Sequence, residues 1–120
     1  MMPLNSAIQK LKKSKIVESI IQFGSSLEKE DYNDIDLCIF TTRPLILGEQ
    51  LRLVRDIPQK YDVSFYDGLP LHLKREVLKG KILFTRDYYK ILKEVQRVDL
   101  EYPHYEHFLE EYHQEAMAAL

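Results

Sequence analysis

The chain has 120 residues, enough for one compact domain but not for two. Apolar residues make up 45% and charged residues 30%, with eight Tyr and five Phe, which excludes a disordered polymer. A formal net charge of -2 argues against a protein that works by gripping nucleic acid directly.

Lys10, Lys12, Lys13 and Lys15 form a local basic cluster, read as the solvated face of a first helix. Cys38 is the only cysteine, so the chain can form neither an internal disulfide nor a thiolate zinc cage. The N-terminal segment lacks the apolar core of a signal peptide, and no apolar run approaches a bilayer span. These features predict a cytoplasmic protein with no membrane segment.

In chain order, Asn5 is expected to cap a first helix carrying Ile8 and Leu11 and fading near Ser14. The β-branched and aromatic run Ile16 to Phe23 reads as a strand, broken by Gly24-Ser25-Ser26. A polar segment from Leu27 to Asn33 leads to the clearest strand, Asp34 to Phe40. Leu51, Val54 and Ile57 space a helix over Leu45 to Ile57, which Pro58 ends. Tyr61 to Tyr66 reads as a third strand and Asp67-Gly68 as a turn. Pro70 opens a helix to Leu78, with Gly80 as its C-terminal cap. A short strand, Ile82 to Phe84, precedes a helix over Arg86 to Arg97. After Pro103 a last helix is expected over about 104–119. Alternating strands and helices predict an α/β (α+β) fold: one domain over 1–120, built on a small mixed β-sheet with helices mainly on one face.

The chemistry gathers at three places. Gly24 permits a sharp turn after a strand, and the amides that follow, with the Ser25 hydroxyl, form a candidate phosphate nest. Side chains alternate along a strand, so Asp34 and Asp36 share a face, with Cys38 and Phe40 behind them and Ile35, Leu37 and Ile39 opposite. The same parity puts Ser64 and Tyr66 beside Asp62, and Val63 and Phe65 opposite. If the third strand lies beside the second, Asp62 joins a cluster of three acids. Carboxylates about 7 Å apart along a strand repel unless a cation sits between them, and magnesium favours such oxygen ligands.

Other residues have plainer readings. Asp67 precedes Gly68 in a turn with parity opposite to Asp62, and is the weaker candidate for third acid. Cys38 reads as a buried structural thiol. His104, His107 and His113 read as surface histidines rather than a transition-metal site. The aromatic stripe of the last helix, from Tyr105 through Phe108 to Tyr112, fits equally a face packed on the domain and an interface.

The strings F-G-S…D-I-D-L-C-I-F, Y-D-V-S-F-Y-D and L-K-G-K-I-L-F-T-R-D resemble the minimal nucleotidyltransferases of the DNA-polymerase-β superfamily, in particular the MntA-type antitoxins encoded beside HEPN-domain proteins. The resemblance covers most of the chain, from about Ile16 to the C-terminal helix. It implies the polymerase-β-type nucleotidyltransferase fold, with Asp34, Asp36 and Asp62 as catalytic magnesium ligands. Gly24 and Ser25, extended to Ser26 and Lys29, would bind the nucleotide. It further implies AMP transfer from ATP to a hydroxyl of a partner protein, a tyrosine of the HEPN protein. Transfer to a small molecule is the lesser expectation, because so short a chain has little material for a second substrate-binding domain. Where the family usually carries a further glycine and often an arginine, this chain has Leu27, Glu28 and Lys29. That departure keeps open a rival reading: an antitoxin that neutralises its partner by contact alone. Self-association is also compatible with the aromatic last helix.

Overall fold

A computed structural model describes residues 2–24 and 34–101. The predicted Leu27 to Asn33 segment, the last helix and the three late histidines lie outside the described residues, as do Ser25, Ser26 and Lys29.

The elements are α1 (Leu4–Lys12), β1 (Val17–Phe23), β2 (Ile35–Thr41), α2 (Leu47–Val54), β3 (Tyr61–Phe65), a 3-10 turn (Tyr66–Gly68), α3 (Leu71–Leu78) and β4 (Lys81–Thr85). A further helix, α4, occupies residues 88–101. The strands form one mixed sheet in the order β3-β2-β1-β4. β1 runs antiparallel to both β2 and β4, and β2 runs parallel to β3. That parallel step needs a crossover, which α2 supplies.

The expected small mixed sheet is present, but its helices occupy both faces rather than mainly one. On one face Leu37 and Ile39 pack with Ala7 and Leu11 of α1 and Leu53 and Val54 of α2. On the other, Ile21 and Cys38 pack with Val77 of α3 and Ile91 of α4. β2 is central and buried on both sides along Leu37, Cys38 and Ile39, as both its neighbours in the sequence pattern are apolar. Each fully buried aliphatic chain here contributes about 1.5–3 kcal/mol, so neither face can be left bare.

Three local expectations change. Asn5 does not cap α1: Pro3 holds the N-cap position, with its carbonyl accepting from the Ala7 amide at 3.1 Å. Proline is pre-set for the extended backbone of that position. Gly80 is no left-handed cap, because Gly24 is the one glycine with positive φ among the described residues. Gly80 is required by proximity instead, since a Cβ there would stand 2.3 Å from the Gln22 carbonyl oxygen of β1. Arg86 is not part of a helix. Its guanidinium donates to the carbonyls of Val17 at 3.0 Å and Lys12 at 2.7 Å, tying the end of β4 to the start of the chain.

Candidate active site

Asp36 is the second residue of β2 and Asp62 the second of β3, and the parallel register pairs them directly. Parity then puts Cys38 opposite Ser64 on the same face, while Val63 and Phe65 join the α1/α2 core behind. The two acids therefore stand side by side across one strand spacing, about 4.8 Å. Asp34 lies just before β2 and is exposed. Asp67 lies beyond β3 in the 3-10 turn, away from this pair.

On its other flank Asp36 is paired with Phe23, the last residue of β1. Gly24 follows at φ +79, and a Cβ built there would stand 2.6 Å from Asp36 Oδ2. Glycine is thus demanded twice: by a left-handed backbone, and by the carboxylate pressed against its α-carbon. The sequence showed the turn; the contact with Asp36 is visible only in three dimensions.

Burial, then the charge of Asp62, then that of Asp34 push the Asp36 carboxyl above its ordinary range, and a hydrogen bond with the Asp62 side chain adds to this. A carboxylate in that position is stabilised by a proton or by a cation. The donors are all carboxylate oxygens, which a hard divalent ion prefers. Among the described residues, however, no three acid, thiol or imidazole groups are already gathered as a metal cage. The fold brings Asp36 and Asp62 together and leaves Asp34 within electrostatic reach of them.

Beneath the acids Cys38 is fully buried, and burial pushes its thiol up to about 12. A thiol held protonated among Ile21, Tyr66 and Val77 is a packing residue, not a nucleophile. The sequence reading missed a second polar group, where α4 meets the end of β3. Tyr66 donates to Glu94 at 2.6 Å, and Glu94 in turn accepts from Arg97 at 2.8 and 3.1 Å. The one sequence signal was the three-residue spacing of Glu94 and Arg97 on a helix; their partner on β3's end was not legible.

The sequence profile described as polymerase beta, nucleotidyltransferase, matches residues 5–89, which contain both strands and all three acids. The chain belongs to this nucleotidyltransferase family. No curated protein matches it. Solved structures share the nucleotidyltransferase fold at low identity. A mutant of the toxin–antitoxin MntA–HpeT superposes with a TM-score of 0.78 at 16% identity, covering 94% of this chain and 97% of that one. A toxin–antitoxin with AMP-PNP gives 0.75 at 17% identity, covering 96% and 99%. A complex of tri-AMPylated Shewanella oneidensis HEPN toxin with MNT antitoxin gives 0.73 at 19% identity, covering 94% of each chain. Among the described residues no helix is long and apolar enough to cross a membrane.

Proposed function

We propose that this nucleotidyltransferase moves AMP from ATP to a hydroxyl of a HEPN-domain protein, acting as the antitoxin of that protein. The observation that carries the reading is the Asp36–Asp62 pair, set side by side with Gly24 pressed against it. The AMP-PNP and AMPylated-toxin complexes among structurally similar proteins support the choice of nucleotide and acceptor.

In this reading Asp34, Asp36 and Asp62 hold magnesium, which when bound neutralises the triphosphate and lowers the pKa of the attacking hydroxyl. Gly24 ends β1 beside Asp36, and Gly24, Ser25, Ser26 and Lys29 are the residues assigned to the phosphates in this reading. The acceptor oxygen attacks the α-phosphorus in line. A bond forms from that oxygen to phosphorus, the bond to the bridging oxygen breaks, and pyrophosphate leaves with the electron pair. Asp62, the more exposed of the paired acids, accepts the hydroxyl proton.

A second reading rests on Leu27, Glu28 and Lys29, which replace the usual glycine and arginine after the Gly-Ser pair. In it the chain neutralises its partner by contact, with a weakened nucleotide site. Incubation with labelled ATP, magnesium and the HEPN partner separates the two. Label on the partner that disappears in Asp36→Asn supports transfer. Tight partner binding without label in the wild type overturns it in favour of contact alone.

A further inference from the structure

A concavity of about 420 Å³ opens at the other end of β2, on the same sheet face as Asp36. Its β2 wall begins at Phe40, four residues and about 13 Å beyond Asp36, and none of the three acids lines it. The size is that of a small-molecule site.

The lining is charged in an ordered way. Phe40 stacks on Tyr66 with ring centroids 4.2 Å apart and forms an aromatic wall. Glu18, only 8% exposed, pairs with Lys90 at 2.9 Å. Glu94 is engaged by Arg97 and by the Tyr66 hydroxyl. Two more ammonium groups lie on aromatic faces: Lys74 over Tyr66 at 5.1 Å and Lys93 over Tyr89 at 4.8 Å. With Arg43 at the rim, the lining carries five cations, whereas Glu18, Asp67 and Glu94 supply three acids. Arg43 is held by Glu49 and Arg97 by Glu101 as well as Glu94, so the lining cations without an ion-pair partner among the described residues are Lys74 and Lys93. The pocket's acids brace Lys90 and Arg97, while Lys74 and Lys93 line the cavity without a carboxylate partner.

We propose that this pocket binds a dianionic phosphate group, separately from the acid cluster. The phosphate meets Lys74 and Lys93, and any ring attached to it lies along Phe40. Two sources share that chemistry, free phosphate and an aromatic phosphomonoester.

Isothermal titration in EDTA, without nucleotide, tests the proposal, since the acid cluster then holds no cation to attract an anion. The probes are inorganic phosphate and phenyl phosphate. The wild type is expected to bind at least one of them. Lys74→Gln/Lys93→Gln, whose side chains reach solvent, should bind about tenfold more weakly or less, with its unfolding midpoint in urea unchanged. Asp36→Asn should bind as the wild type does. Equal affinity for the two probes assigns the pocket to free phosphate, and a clear preference for phenyl phosphate assigns it to the ester. No binding by the wild type, or full binding by the double lysine variant, overturns the proposal. Because magnesium and ATP are absent, these outcomes are independent of whether the chain transfers AMP.

Discussion

The two ends of β2 handle buried charge in opposite ways. At its start, Asp36 faces Asp62 with Asp34 nearby, and burial first, then these like charges, hold the Asp36 carboxyl above its ordinary range. At its far end, Arg97 first and then Tyr66 hold the Glu94 carboxyl below its ordinary range, although burial opposes them. One end is a set of acids in need of a cation; the other is an acid already supplied with donors. The lesson is that a half-buried carboxylate on this sheet is not in itself a stabilising or destabilising element. The sign comes from its partners. Among the described residues no buried side-chain nitrogen or oxygen lacks a hydrogen-bond partner, so the strain at the acid end is electrostatic and not a missing hydrogen bond.

Activity should separate the two ends of β2 most strongly. Asp36→Asn should reduce AMP transfer to background in the labelled-ATP assay, a loss of a hundredfold or more on the order expected for a removed electrostatic stabiliser. Glu94→Gln at the far end should leave transfer detectable. Transfer surviving in Asp36→Asn would dissociate the acid end from the chemistry.

Stability should then move in opposite directions for the same chemical change. Glu94→Gln removes a charged partner from Arg97 and the Tyr66 hydroxyl, and should cost about 1–2 kcal/mol in urea denaturation at pH 7. Gly24→Ala should cost about 1–2 kcal/mol, from the left-handed backbone alone, and should also weaken transfer by displacing Asp36. Unchanged transfer in Gly24→Ala would show that the contact with Asp36 is idle. Asp36→Asn, measured in EDTA, should instead stabilise the fold by about 0.2–1 kcal/mol, by removing a like charge from a directly opposed pair. Adding magnesium should raise the melting temperature of the wild type and not that of Asp36→Asn.

The smallest effect is the most specific, and it lies in the pH dependence. The folded state holds a proton on Asp36 more tightly than the unfolded chain does. Its contribution therefore falls as pH rises from the ordinary carboxylate value of 3.8 to the raised one, and stays low above that. Glu94 runs the other way: its contribution is present above the ordinary value of 4.5 and is lost as pH falls through the lowered one. The stability of Asp36→Asn relative to wild type should thus grow with pH across the first window. The deficit of Glu94→Gln should shrink on acidification. Parallel curves for both variants would remove the contrast between the two ends.

What was legible in the sequence was what alternates or turns locally. Period-two parity fixed which face Asp36, Asp62 and Ser64 share, and Gly24 after a β-branched run marked the turn that ends β1. Among the described residues the succession of strands and helices followed from the same local signals, to within a few residues at the ends. What only the tertiary structure decided was which strands lie side by side and what the chain ends press against. The pairing of Asp36 with Asp62 depends on the β2–β3 register. The need for glycine at Gly80 depends on a β1 carbonyl nearly sixty residues away in the chain. The grip of Arg86 on Lys12 and Val17, and that of Glu94 on Tyr66, likewise join residues with no periodic relation. Local preference is written in neighbouring dihedrals, whereas contacts between distant segments are set by how the two apolar faces of β2 are covered, and no short window of sequence contains both partners.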